Sequence, residues 1–309
     1  MTNIRIRPGP LLALLSLAQF MLVLDFAVIA VAVPSLQRDL GIAPADVQWI
    51  VTAYGLTFGG FLVAAGRAAD LIGPRRVLVA GLVVFSLASV ACGLAGEGGQ
   101  IFVARAVQGF GAALVSPAAL ALITTSFSEG PARNRALGIW GAVASGGYVA
   151  GNLVGGLLTG LVHWRAIFLV NVPIGVALLV ALLWFVPADR PVARGRTDVT
   201  GASLLTAAAV LLVTAVTQAE RGITPLVVAT ALAGAVAAAM FFVVERRAKE
   251  PIVPLRMLRN RHVRYGNLVS LVGAGSGLAG TWFATLYMQN VLGLDPLQTG
   301  LAFVRTALV

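Results

Sequence analysis

The chain alternates between long apolar stretches and short polar connections. Nine stretches, at 11–33, 47–65, 77–94, 101–124, 136–158, 166–186, 201–217, 225–244 and 267–288, fall in the length range of a membrane-crossing helix, roughly 17–25 residues. A tenth opens at Leu297 and reaches Val309. At about 1.5 Å per residue that covers about 20 Å of a core about 30 Å thick, so it is expected to be the first part of a longer, cut-off span. The longest connection, 245–266, is too short for a separate catalytic domain, which needs about 50 residues. Any chemistry must therefore sit among the helices or on short loops. Arg5 and Arg7 ahead of an apolar run ending near Ala30-Val31-Ala32 imitate a signal peptide. The run is too long for one, and eight further spans follow it, so the first stretch is expected to remain as a helix.

Composition agrees with this pattern. Apolar residues make up 59% of the 309 and charged residues 11%, against about 25% charged in a soluble domain; the mean hydropathy is +0.92. Most soluble enzymes, nucleic-acid binders and disordered tails are excluded. The single cysteine, Cys92, excludes an internal disulfide framework and a cysteine-built metal site. Arginine outnumbers lysine 21 to 1. With abundant Ala, Val and Gly, that points to a GC-rich bacterial genome.

The net charge of +10 would suggest a nucleic-acid partner in a soluble chain. Here it is sorted by loop. The N-terminal tail and the even-numbered loops hold seventeen basic residues, among them Arg67, Arg75, Arg76, Arg133, Arg135 and the run from Arg246 to Arg264. The odd-numbered loops hold three: Arg38, Arg165 and Arg221. Alternation of this kind is the positive-inside rule and puts the N-terminus in the cytoplasm.

Two charges sit within the spans where no loop explains them. Asp25 lies inside the first, where a charged side chain costs roughly 2.5–3.5 kcal/mol on insertion scales. It is either a protonated acid bonded to a neighbouring helix or a group that exchanges protons or attracts a cation. Arg105 lies in the fourth span, close enough to its end to snorkel. It also shares a helical face with Gln108, Gly109, Ala112 and Ser116, a polar, small-residue stripe suited to protein or a wet cavity. In the fifth span Gly147, Gly151 and Gly155 recur every four residues, followed by Gly156, a spacing that lets another helix approach closely. Asn152 there needs a partner, and Pro173 bends the sixth span.

Two motifs are set aside. Residues 275–280 match a dinucleotide-binding fingerprint but lie inside an apolar span with no strand before them, so helix packing is expected instead. His163 and His262 fall in loops on opposite sides and cannot share a site. No metal, no cofactor and no enzymatic nucleophile–base pair is expected.

These residues resemble the major facilitator superfamily, in its 14-helix drug:proton antiporter branch. The carrying motifs occur in order. They are Leu24-Asp25-Phe26-Ala27-Val28 with Ala32-Val33-Pro34, and Gln48-Trp49-Ile50-Val51-Thr52-Ala53-Tyr54. Next come Gly66-Arg67-Ala68-Ala69-Asp70 with Gly73-Pro74-Arg75-Arg76, and Arg105-Ala106-Val107-Gln108-Gly109. The last are Trp164-Arg165-Ala166-Ile167-Phe168 with Asn171-Val172-Pro173, and Leu286-Tyr287-Met288-Gln289-Asn290 with Leu297-Gln298-Thr299-Gly300. Leu71 and Pro74 stand where the family usually has basic residues, and Asn152 follows Gly151 where its exporters have proline.

The resemblance implies an all-α, polytopic membrane protein of the major facilitator fold. Residues 1–186 would form a complete six-helix N-terminal bundle, 187–266 a linker with two extra helices and a basic loop, and 267–309 the start of an incomplete C-terminal bundle. It implies proton-coupled efflux of amphipathic or cationic drugs, by alternating access, across a bacterial inner membrane. Small-molecule substrate, protons and lipid would be the partners, and nucleic acid none. Asp25 and Arg105 would couple protons, while Tyr54 and Gln108 would line the substrate cavity. Gly66, Asp70, Gly73, Arg75 and Arg76 would form a conformational latch, and Gly147, Gly151, Gly155 and Gly156 a helix-packing face. The competing expectation is a truncated, non-transporting membrane protein or an assembly partner.

Overall fold

The structure, a computed structural model, describes residues 8–189, 199–219, 222–248 and 260–307. Among them the only regular elements are helices. In chain order these are α1 (Pro8–Asp39), α2 (Trp49–Ile72), α3 (Pro74–Leu94), α4 (Gly98–Ser126), α5 (Pro131–Leu161) and α6 (Ala166–Leu169). They continue with α7 (Asn171–Phe185), α8 (Val199–Ala219), α9 (Pro225–Arg247), α10 (Arg261–Asn290) and α11 (Pro296–Ala307). Among the described residues nine helical stretches are long and apolar enough to cross a membrane, α6 and α7 together making one of them.

Every span read from the sequence is a helix, and most helices outrun their apolar stretch. α1 runs on to Asp39, α2 to Ile72, and α10 begins at Arg261. Hydropathy marks only the part of a helix that suits hydrocarbon, whereas backbone bonding continues into the polar zone. The sixth span departs from this pattern. Val170 is a turn between α6 and α7, yet it keeps helical dihedrals (φ −63°, ψ −27°) and bonds back to Ala166 O, so the two pieces run on as one span. Pro173 has no N–H for the carbonyl four residues earlier, which weakens the helix at this point.

Residues Met1–Arg194 and Leu294–Val309 form one compact unit, and Gly195–Gly293 another. In the first unit α1 packs along α5, α4 lies against both α2 and α3, α3 packs on α7, and α11 lies on α5. α1 also touches α4 and α7, so these three helices surround the middle of the unit. Leu15, Met21, Phe85, Val115 and Ile123 are fully buried there. Leu87, Val103, Val180 and Trp184 point outward and are exposed, as expected of side chains that meet lipid. In the second unit α8 packs on α9, where Gly234 allows the backbone to approach Leu212.

Glycines account for the closest helix approaches. A Cβ on Gly151 would lie 2.7 Å from Ala27 Cβ, and one on Gly155 2.8 Å from Val28 O. Gly147 faces Phe20 O at 3.1 Å, so these three positions seat α1 on α5. Gly156 points the other way, to Gly300 Cα of α11 at 3.1 Å. Gly275, Gly277 and Gly280 lie within α10 with nothing within 4 Å of their Cβ positions. The fingerprint-like run is thus helical, and no packing neighbour meets these glycines among the described residues.

Candidate functional site

The site assembles around Asp25 at the middle of α1. Its side chain is 1% exposed and meets Arg105 of α4, itself 0% exposed, in a 2.8 Å ion pair. Arg105 therefore turns into the bundle instead of snorkelling. Its Nη1 donates to Asp25 Oδ2 at 2.8 Å and to Gln108 Oε1 at 2.7 Å, and its Nε donates to Ile50 O at 3.0 Å. Asp25 Oδ1 accepts from Gln108 Nε2 at 2.8 Å and from Asn171 Nδ2 at 2.6 Å.

A second layer fixes Gln108. Its Nε2 also donates to Ser89 Oγ at 2.9 Å, and Ser89 in turn donates to Phe85 O. The thiol of Cys92 donates to Gln108 Oε1 at 3.6 Å. Tyr54 of α2 is 3% exposed and lays its ring 4.2 Å from the Arg105 guanidinium, a cation–π contact that is strengthened by the loss of water. Four elements thus hold one carboxylate. All three donors to Asp25 are N–H groups, which suit a carboxylate anion. With Asp25 ionised, the guanidinium balances its charge and the pair is neutral.

The sequence singles out Asp25, Arg105, Tyr54 and Gln108, and the structure brings all four together. It adds Asn171, Ser89 and Cys92. In the sequence Asn171 stands out only as part of a proline motif. Its signal was an amide inside an apolar span, the same signal that drew attention to Asn152. Asn152 instead donates to Tyr148 O within α5.

The end of the unit that carries Arg67, Arg75, Arg76, Arg133 and Arg135 holds a second constellation. Gly73 ends α2 with φ at 102°, a backbone region suited to glycine, and Pro74 opens α3. Asp189, from the segment after α7, lies against Gly73 and caps this helix start. Its Oδ1 accepts from Arg75 N at 3.1 Å and its Oδ2 from Arg76 N at 2.9 Å. The free N–H groups and positive end of α3 make this a favourable seat for a carboxylate. Arg75 also donates through its guanidinium to Leu183 O. Gly66 faces Pro117 of α4 at 3.7 Å, an ordinary contact. Asp70 is exposed, and the described residues include no hydrogen bond or ion pair to it. The acid that caps α3 in this conformation is Asp189, which the sequence did not single out.

At the opposite end, Asp39 accepts from Trp164 Nε1 at 2.9 Å and from Arg165 Nη1 at 2.6 Å. Arg165 also donates to Ala95 O. These bonds tie α1 and the end of α3 to the start of the sixth span. An open pocket of about 370 Å³ lies beside them, lined in part by Arg38, His163 and Thr159. Among the described residues no three metal-ligating side chains converge.

The family model described as the Major Facilitator Superfamily matches residues 15–309. The chain is 46% identical over 303 residues to the cephamycin export protein of Amycolatopsis lactamdurans, covering 96% of this chain and 62% of that one. It is 42% identical over 294 residues to the puromycin resistance protein of Streptomyces alboniger, covering 94% of this chain and 58% of that one. A crystal structure of a peptide transporter in complex with sulfate superposes with a TM-score of 0.66 at 17% identity, over 95% of this chain and 65% of that one. That likeness is one of fold. The chain thus spans about three-fifths of the length of each of these two relatives.

Proposed function

The chain belongs to the major facilitator superfamily, and from that premise we propose that it serves proton-driven export of amphipathic or cationic antibiotics by alternating access. In this reading it sits in a bacterial plasma membrane with its N-terminus in the cytoplasm, and it is a transporter, not an enzyme. Residues 1–186 are the first bundle, 187–266 a linker with two added helices, and 267–309 the opening of the second bundle. The names of the relatives support antibiotics as the cargo. The observation that carries the coupling is the burial of Asp25 among donors from other spans.

The chemistry follows from charge balance. With Asp25 ionised, the pair with Arg105 is neutral and suits a closed, dry bundle. When a proton from the outer side binds Asp25, the guanidinium loses its counter-charge. That state favours wetting of the site, and the proton leaves when water enters from the cytoplasm. A cationic substrate competes for the same carboxylate, so proton and drug occupy it in turn. Tyr54 and Gln108 present the surfaces beside it. At the basic end, Gly66, Asp70, Gly73, Arg75 and Arg76 act as the latch, with Asp70, exposed in this state, gaining its partner in the other.

The test is dye efflux by everted membrane vesicles under an imposed proton gradient, with protein expressed from this reading frame and its Asp25→Asn variant at equal levels. Loss of gradient-driven efflux in the variant is the expected outcome. Efflux at the unmodified rate would refute the role of Asp25.

A further inference from the structure

Asp25 has three donors and no acceptor. That arrangement serves the anion, yet a proton carrier must also hold the acid, whose O–H needs an acceptor of its own. Something in the shell must change when the proton arrives, and the three donors differ in what they can give up. Gln108 is fixed at both ends of its amide, by Arg105 and Cys92 on the oxygen and by Asp25 and Ser89 on the nitrogen. Turning it over breaks every one of those bonds. Arg105 carries only donors and can accept nothing.

Asn171 is different. Its Nδ2 makes one bond, to Asp25, while its Oδ1 is buried with no partner among the described residues. A buried amide oxygen without a donor is costly, so this half of the side chain is poised for one. It also stands at the first residue of α7, two residues before Pro173, whose missing N–H leaves the carbonyl of Leu169 without its helical bond. The other titratable side chains around Asp25 are Arg105, Tyr54 and Cys92. α5 presents Gly147, Gly151 and Gly155 to α1, and α6 brings Phe168 to the guanidinium.

We propose that Asn171 is the positioning residue for the protonated state, its amide turning over so that Oδ1 accepts the O–H of Asp25. This rests on Asp25 being the proton carrier. The step balances simply. A hydronium ion gives its proton to Asp25 Oδ1, forming the O–H bond and leaving water. The N–H···O contact from Asn171 is replaced by an O–H···O contact to the same side chain. Net charge at the site rises by one, and the start of α7 registers the change.

Infrared difference spectroscopy on the 309-residue chain, reconstituted in lipid and titrated from neutral to acid pH, tests this. The C=O stretch of a protonated carboxyl is assigned to Asp25 by its loss in Asp25→Asn. In the unmodified protein that band is expected at the frequency of an acid whose O–H is hydrogen-bonded. In Asn171→Leu it shifts up toward the free-acid position, and in Asn171→Thr, whose hydroxyl can accept, it returns most of the way. An unmoved band in a folded Asn171→Leu protein would overturn the proposal while leaving Asp25 as the carrier. If Asn171→Leu fails to fold, the smaller Asn171→Ala, which likewise has no side-chain acceptor, decides: a band shifted toward the free-acid position supports the proposal, and an unmoved band overturns it. No Asp25 band at any pH would overturn the carrier role itself, and this inference with it.

Discussion

Asp25 and Arg105 stand eighty positions apart in the chain and meet at 2.8 Å with almost no exposed surface. Such a pair gains Coulomb energy in a low-dielectric surround but loses the hydration of both ions. Its net worth as a pair is small. Its asymmetry is large, because deleting one partner strands the other.

That asymmetry gives the first prediction. Arg105→Met keeps the apolar stem but leaves the carboxylate with two amide donors and no counter-charge. It should cost about 3–5 kcal/mol, read by denaturant unfolding of the detergent-solubilised protein. Adding Asp25→Asn to the same variant should recover a large part of the loss. The Arg165–Asp39 pair, whose side chains are 33% and 41% exposed, is the contrast. Arg165→Met should cost no more than about 1 kcal/mol, less at high salt. Equal losses at the two sites would show that burial does not set the scale.

The second prediction concerns the approach of α2 to α4. A Cβ on Gly109 would collide with the Tyr54 carbonyl and the Thr57 hydroxyl, and Thr57 Oγ1 itself donates across the interface to Ala106 O at 2.7 Å. Gly109→Ala should therefore destabilise by about 1–3 kcal/mol through overpacking and displace Tyr54 from the guanidinium. Gly59→Ala, with nothing within 4 Å of its Cβ position, should cost nothing. Thermal unfolding of the two variants, with tyrosine fluorescence for the displacement, separates site-specific crowding from a general intolerance of alanine.

The number and order of helices were legible because hydrocarbon imposes a length and leaves a plain apolar signature. Asp25 and Arg105 were legible because a charge inside such a stretch is expensive. Asn171 was not, because Asn152 carries the same signal, and nothing in the chain says which of the two amides faces Asp25. Asp189 was not, because an acid in a polar connection is ordinary until the backbone brings it to the start of α3. Asp70, singled out by its motif, is exposed without a described partner in this conformation. Motif spacing reports which residues share a turn, whereas capping depends on a segment more than a hundred positions away.

Asp189 supplies the third prediction. Its carboxylate is the acceptor for the first free amides of α3, a role worth about 0.5–2 kcal/mol at a helix start. Asp189→Ala should speed hydrogen exchange at the amides of Arg75 and Arg76 and lower stability by that order. Asp70→Ala should leave both within the range of an ordinary surface change, about 0.5 kcal/mol. Exchange at Arg75 and Arg76 that does not respond to Asp189→Ala would remove the cap from the account.

The fourth prediction tests the sidedness that the arginines suggest. Cys92 is the single cysteine and is fully buried, so an introduced thiol reports without background from the native one. Glu97, between α3 and α4, and Glu129, between α4 and α5, are both exposed and lie at opposite ends of α4. With the N-terminus inside, Glu97→Cys faces outward and Glu129→Cys faces the cytoplasm. A membrane-impermeant maleimide applied to intact cells should label the first and spare the second, and permeabilisation should make both react. The reverse pattern would invert the bundle. It would also place the basic end, with Arg75, Arg76 and Asp189, outside, and the proton taken up by Asp25 from the outer side would then have to enter past that end.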